Sequence, residues 1–155
     1  MLKILEDAEG RHDVFMPFGA IALEQIESWM RSSSLTIPRD LVEFWSQTGG
    51  GDLFDDAETI LRPTRVPSRY PGFVDGDDVD SATWFRIQNG MPDSNLLFHE
   101  GTFLSAIRLP DQMFVTLDDK FQETAEFATF DEWYTATLRS EYGTHYGLPI
   151  ESEKS

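Results

Sequence analysis

The sequence predicts an α+β fold, with two N-terminal helices and one C-terminal helix packed on a curved, mainly antiparallel sheet. Three observations predict it: two amphipathic segments come first, short apolar segments separated by turn residues follow, and a capped helical segment completes the pattern. The chain has 155 residues, which is the length of one domain. We place that single domain at residues 1–145 and interpret residues 146–155 as a short frayed tail.

The two N-terminal helices are predicted from apolar spacing and from their end signals. Residues 20–31 carry an apolar stripe at helical spacing, and a run of serines follows it. The second helix opens at Pro38, where a missing N–H is harmless, and ends at Gly49, which favours a left-handed cap. The apolar positions are Ala22, Ile26, Trp29 and Met30 in the first helix, and Leu41, Phe44, Trp45 and Thr48 in the second.

The middle of the chain predicts the sheet. Pro63 ends the first strand, and a proline-rich loop follows. Glu100-Gly101 forms the turn of a hairpin. Trp84 and Phe85 are expected on a strand, with Trp84 in the core like the other large aromatic side chains. The predicted strands cover residues 59–62, 82–88, 96–99, 103–107, 113–117 and 126–128.

The C-terminal helix begins at a capping box. Thr129 is followed three residues later by Glu132, a pattern in which the two side chains satisfy free backbone N–H groups of the first turn. The apolar positions that continue at helical spacing are Phe130, Trp133, Tyr134, Thr137 and Leu138.

The net charge restricts the class of partner. Twelve Lys and Arg against 28 Asp and Glu give −16 with His neutral. A nucleic-acid backbone and an anionic membrane surface would both be repelled, so we expect neither as a direct partner and expect a basic one instead. Cysteine is absent, and we read neither a signal peptide nor a membrane-spanning run, so the expected location is the cytoplasm.

One pattern suggests an enzyme. Pro92-Asp93 followed by Asp118-Asp119-Lys120 has the order of a metal-dependent nuclease of the PD-(D/E)xK type, in which two carboxylates and a lysine hold a divalent ion and a water. The competing interpretation, which we favour, is that both segments are polar turns. DNA or RNA would also be repelled by the charge of this chain.

Other chemical signals in the sequence are weak. The segment that starts at Asp75 fails the calcium-loop register, because Asp80 stands where glycine is required. His12, His99 and His145 lie far apart, and His99 is interpreted as a strand residue beside a turn. We therefore expect no enzymatic activity, no catalytic residue, no metal site and no cofactor.

The acidic residues are concentrated in loops. Such runs are commonly solvated surface, but three of them flank predicted strand or helix ends, where loops carry binding functions. We therefore predict that they form a partner-binding surface. The residues are Asp52, Asp55, Asp56 and Glu58, then Asp75, Asp77, Asp78 and Asp80, then Asp118 and Asp119.

The order of these elements resembles the SUKH superfamily, which includes a yeast cell-wall assembly regulator and many bacterial immunity proteins. The similarity lies in Ile37-Pro38-Arg39-Asp40-Leu41, Phe44-Trp45, Gly49-Gly50-Gly51-Asp52-Leu53-Phe54, Glu58-Thr59-Ile60-Leu61-Arg62-Pro63 and Ala128-Thr129-Phe130-Asp131-Glu132-Trp133. It covers about residues 21 to 138, and its persuasive feature is the order of short motifs.

This resemblance implies a domain that functions by binding. It implies an immunity protein that neutralises a cognate effector toxin, a basic nuclease, from a bacterial polymorphic or contact-dependent toxin system. The long loop after Pro63 departs from the family pattern and would be where partner specificity differs. Two alternatives remain open: a regulatory protein-interaction module without a toxin, and the divalent-metal nuclease described above.

Overall fold

We describe the fold from a computed structural model, over residues 2–63 and 78–149. The structure confirms the α+β class. The strands are β1 (Phe15–Pro17), β2 (Gly51–Leu53), β3 (Glu58–Ile60), β4 (Asn95–Glu100), β5 (Leu104–Arg108), β6 (Met113–Leu117) and β7 (Glu123–Phe127). The helices are α1 (Lys3–Ala8), α2 (Leu23–Ser32), α3 (Arg39–Thr48), α4 (Val79–Gln88), α5 (Phe130–Tyr134) and α6 (Ser140–Tyr142), with a π-helical turn, Thr135–Arg139, between the last two.

The seven strands form one open antiparallel sheet in which the spatial order is the sequence order, β1 to β7. Each strand is therefore joined to its neighbour along the chain, and β1 and β7 are the two edges. Register shifts between Leu97 and His99 and between Thr116 and Leu117 interrupt the regular pairing of β4 and β6. Such bulges bend a sheet and increase its twist.

Helix α3 has the end signals that the sequence predicts. Pro38 is its N-cap, one residue before the predicted position, and the helix ends at Gly49 with φ 73°. The Gly49 N–H donates to Trp45 O at 2.8 Å. A Cβ at Gly49 would overlap the carbonyl oxygen of Gly19, so both the conformation and the close approach require glycine.

An aromatic cluster joins the helices to the sheet. Phe44 of α3 lies 4.9 Å from Phe130 of α5, centroid to centroid. Phe98 of β4 lies 4.8 Å from Trp133 and 5.6 Å from Phe114 of β6. All five rings are completely buried. Burial of side chains of this size makes the cluster a major source of stability, because truncating one such ring to Ala costs about 3–5 kcal/mol.

The prediction of a strand at residues 82–88 is wrong, because this segment belongs to α4. Asp78 caps the helix by accepting the Ser81 N–H at 2.9 Å. Strand β3 pairs with β4 only near the Glu100 end, and α4 lies beside the other half, where the Thr83 hydroxyl accepts the Leu97 N–H at 2.9 Å. The apolar run that suggested a strand is thus partly exposed, with Trp84 on the surface.

The C-terminal segment is longer and better packed than predicted. The Thr129 hydroxyl accepts the Glu132 N–H as expected, and Glu132 accepts from Ala128 N–H, one residue before the usual capping-box partner. The domain also extends past residue 145: Leu148 is buried, and Arg139 donates to Pro149 O at 2.6 Å. The predicted frayed tail therefore begins too early, and residues 150–155 lie outside the described part.

The N-terminal segment is joined to the C-terminal helix by a buried ion pair. Arg139 Nε donates to Asp7 Oδ2 at 2.7 Å, and the Tyr134 hydroxyl donates to the same oxygen at 2.8 Å. Neither α1 nor β1 was predicted.

Within residues 2–63 and 78–149, no helix has the length and apolar character that crossing a membrane requires.

Candidate functional site

The turn between β2 and β3 is the most distinctive acidic feature that the structure describes. Asp55 and Asp56 are exposed there, next to the buried Phe54. All three residues have left-handed backbone conformations, with φ of 52° at Phe54, 58° at Asp55 and 70° at Asp56. Non-glycine residues adopt this region at an energetic cost and need surrounding structure to hold them there.

Contacts from both ends of the chain hold this turn in place. Phe54 stacks on Tyr142 at 4.5 Å with 10° between the rings, and Tyr146 packs at 5.1 Å from Phe54. The Phe54 N–H donates to Val14 O at 2.9 Å, and the Asp55 N–H donates to Asp13 O at 3.0 Å. The turn is thus held between the segment before β1 and the end of α6 with the residues that follow it.

Asp55 is fixed by its side chain as well. The Tyr146 hydroxyl donates to Asp55 Oδ2 at 2.7 Å, and this hydrogen bond to a carboxylate raises the pKa of Tyr146. Asp52 on β2 is half-buried and accepts the Thr59 hydroxyl across the hairpin at 2.8 Å. We refer to Asp52, Asp55 and Asp56 as the acidic turn. Asp55 and Asp56 are exposed, and Asp52 lies half-buried on the strand that leads into the turn.

Glu58 differs from the prediction because it does not lie on the surface. Its side chain is completely buried, and a Cβ at Gly101 would overlap its carboxylate. Tyr142 OH donates to it at 2.6 Å, Thr102 OH at 2.8 Å and His99 Nε2 at 2.8 Å. Burial raises the pKa of Glu58, but these hydrogen bonds outweigh burial and the net shift is downward. Glu58 is therefore a buried carboxylate that organises the interior.

His99 continues this network into the core. Its Nδ1 lies 2.9 Å from Ser105 Oγ, and that oxygen accepts from Trp133 Nε1 at 2.9 Å. The ionised Glu58 carboxylate can only accept, so His99 Nε2 carries a proton. Burial lowers the pKa of His99, which favours the neutral ring. In the neutral Nε2–H tautomer, Nδ1 accepts from the Ser105 hydroxyl.

The order Ser105–His99–Glu58 is that of a hydrolase triad, but it is not accessible to a substrate. The exposed fractions of these residues are 0%, 0% and 1%. The oxygen of Ser105 already accepts a hydrogen bond from Trp133. A nucleophile in such an arrangement must reach a substrate carbonyl, and this serine does not reach the surface. We interpret the network as structural.

The acidic residues around the start of α4 differ in their exposure. Asp78 is completely buried as the N-cap of α4, so it is not available to a partner, contrary to the prediction. Asp80 is exposed and accepts the Trp29 indole N–H at 2.9 Å, which joins α2 to α4. Asp75 and Asp77 lie outside the described residues.

The third predicted cluster is the turn between β6 and β7. Asp118 Oδ1 accepts backbone N–H groups of Lys120 and Gln122, both at 2.9 Å, and these bonds lower its pKa. This is the hydrogen bonding of a side chain that stabilises its own turn. Asp119 is exposed beside it.

The residues of the nuclease pattern lie at opposite ends of the sheet. Asp93 precedes β4, Asp119 and Lys120 follow β6, and both strands are antiparallel to β5 and so run in the same direction. A strand of five residues spans about 16 Å, which is too far for two carboxylates to share an ion. Within the described ranges, no group of three or more His, Cys, Asp or Glu side chains has the arrangement of a metal site.

Two exposed aromatic residues were missed as surface features. Trp84 is 64% exposed and Phe85 is 56% exposed, whereas sequence periodicity favoured a buried strand. The available signal was Asp78 three residues before Ser81, the spacing of a helix N-cap.

In the comparisons with known proteins, no protein-family model matches the sequence and no curated protein is significantly similar to it.

Proposed function

We propose that this protein is an immunity protein of the SUKH type, which binds a cognate effector toxin in the cytoplasm and neutralises it. The toxin is a basic nuclease from a bacterial polymorphic or contact-dependent toxin system. The observation that carries the proposal is the acidic turn, in which the exposed carboxylates of Asp55 and Asp56 lie on a left-handed backbone segment held by contacts from the N-terminal and C-terminal parts of the chain.

Charge complementarity supports this partner. A nuclease presents Lys and Arg where a phosphate backbone binds, and a chain of net charge −16 attracts such a surface over long range. Electrostatic steering of this kind raises association rates far above those of uncharged surfaces. Bound carboxylates would occupy the positions of phosphates and so exclude the nucleic acid.

The rigidity of the acidic turn supports binding in a second way. Ordering a flexible side chain at an interface costs about 0.5–1.5 kcal/mol. Asp55 is already positioned by the Tyr146 hydroxyl, and its backbone N–H is bonded to Asp13 O. Much of this ordering cost is therefore met during folding, before the partner arrives.

Coexpression with the protein encoded directly upstream tests the proposal. We expect that protein to arrest growth when expressed alone, and coexpression of this chain to restore growth and to yield a copurifying complex. An upstream product that is not toxic, or a toxic one that neither binds nor is neutralised, would overturn the proposal.

Matched charge variants test the acidic turn itself. Asp55→Asn with Asp56→Asn should weaken the complex, whereas Glu24→Gln with Glu43→Gln changes the net charge equally at exposed helix positions and should not. Equal effects of the two double variants would mean that only overall charge matters and that the acidic turn is not the contact.

A further inference from the structure

Helix α4 presents two large aromatic side chains to solvent. Trp84 is 64% exposed and Phe85 is 56% exposed, whereas the other three tryptophans, Trp29, Trp45 and Trp133, are at most 7% exposed. Single exposed apolar residues are ordinary, but two large exposed aromatic side chains at consecutive positions concentrate apolar surface on one helix, and concentrated apolar surface marks interaction sites.

The helix that carries this pair is held firmly. Val79, Ala82 and Thr83 form its buried face. Arg86 pairs with Glu100 of β4 at 3.0 Å, and Asp80 accepts the Trp29 indole N–H. The two rings therefore project from a fixed support, as the energetically dominant residues of interfaces do.

We propose that Trp84 and Phe85 form the apolar centre of a docking surface for a basic protein partner. This inference rests on the proposed function, since that partner is the toxin. Asp80 lies four residues before Trp84 and so shares its face of the helix. The only cation in α4, Arg86, is already paired with Glu100. The Arg86 guanidinium also lies over the Phe85 ring, 5.8 Å from its centroid. An aromatic pair beside the Asp80 carboxylate, on a chain of net charge −16, fits a partner that has apolar surface between Lys and Arg residues.

The charge of the chain favours this occupant over a second copy of the same protein. Two copies meeting through α4 would each carry a net charge of −16 and would repel one another at long range, whereas a basic partner would be attracted. A segment of the same chain that covers the two rings is the third alternative. The test distinguishes these three.

Acrylamide quenching of tryptophan fluorescence measures access to Trp84 directly, because the other tryptophans are buried. Acrylamide is neutral, so the charge of the chain does not bias the result. In the free protein we expect a strongly quenched component that is lost in Trp84→Phe. In the complex with an inactivated upstream gene product, Trp84 should be protected, so wild type should no longer show the strongly quenched component that distinguishes it from Trp84→Phe.

Protection of Trp84 in the free protein would contradict the inference. Protection that increases with protein concentration would identify a second copy as the occupant. Protection that is independent of protein concentration would identify another segment of the same chain as the occupant.

Affinity measurements complete the test. Trp84→Ala should weaken binding of the upstream gene product about 30-fold, the range of an interface residue that dominates binding, and Phe85→Ala should act in the same direction. Leu23→Ala is the control, since Leu23 is 40% exposed at the start of α2, on a different helix. It should change affinity by less than about 3-fold.

The outcomes separate this inference from the function on which it rests. If wild type binds and rescues growth but both aromatic variants stay within about 3-fold of it, the docking surface lies elsewhere and the proposed function stands. If wild type does not bind the upstream product, the proposed function fails and this inference fails with it.

Discussion

His99 Nε2 lies 2.8 Å from Glu58 Oε1, and neither side chain reaches solvent. The same carboxylate accepts the Tyr142 hydroxyl, and the Tyr142 ring stacks on Phe54 beside the acidic turn. The buried network and the exposed carboxylates are therefore parts of one arrangement. Its stability can be tested separately from its binding.

The network makes stability depend on pH below neutrality. Burial lowers the pKa of His99, while an unfolded histidine titrates near about 6.5. Below that pH the unfolded chain takes up a proton that the folded chain does not, so the free energy of unfolding falls as pH falls. We therefore expect the free energy of unfolding to fall between pH 7.5 and 5.5 because of this residue.

Chemical denaturation at a series of pH values measures this effect. His99→Gln should be less stable than wild type but should lack the loss between pH 7.5 and 5.5. His145→Gln, at an exposed position, should retain it. A wild-type slope in the His99 variant would contradict the assignment of a neutral His99.

Removing the charge of Glu58 should destabilise the fold. In Glu58→Gln an amide NH₂ faces donors from Tyr142, Thr102 and His99, so buried polar groups lose their acceptor. We expect a loss of about 2–4 kcal/mol in the free energy of unfolding. Glu141→Gln, on the exposed side of α6, should change it by less than about 0.5 kcal/mol. A Glu58 variant as stable as wild type would show that the network contributes little.

Tyr146→Phe should separate positioning from stability. The variant keeps the ring that packs on Phe54 and removes only the hydroxyl that donates to Asp55. The hydrogen bond is exposed, so the free energy of unfolding should fall by only about 0.5 kcal/mol. The association rate with the upstream gene product should fall a few-fold, because Asp55 is no longer fixed. An unchanged rate would mean that the order of the acidic turn is irrelevant to binding.

The nuclease pattern should be dispensable. Asp93→Ala, Asp119→Ala and Lys120→Ala each change an exposed turn residue, and the structure places Asp93 at the opposite end of the sheet from the other two. Growth rescue should therefore equal that of wild type. Magnesium-dependent cleavage of DNA by the purified protein, lost in any of the three variants, would contradict a binding function.

The sequence predicted elements whose signals are local. Pro38 and Gly49 delimit α3, and Thr129 caps the last helix, because caps act on the backbone next to them. Periodicity failed at α4, where Trp84 and Phe85 look like buried strand residues but face solvent. Amphipathic spacing cannot identify a helix whose large apolar side chains face solvent.

Burial of acidic residues was harder to predict than secondary structure. Glu58 and Asp55 are three residues apart in one acidic run, yet one is buried and the other exposed. The difference arises from Tyr142, Thr102 and His99, which are distant in sequence and supply the donors that make burial of a carboxylate possible. Local charge patterns contain no information about such partners.

Association kinetics of Asp55→Asn with Asp56→Asn test the central claim most directly. The rate of binding to the upstream gene product is measured for wild type and variant at low and high ionic strength, with a melting curve as the control for folding. If the acidic turn meets a basic partner, the variant associates more slowly and its rate depends less on salt, while its melting temperature is unchanged. A wild-type rate with a wild-type salt dependence would contradict the account.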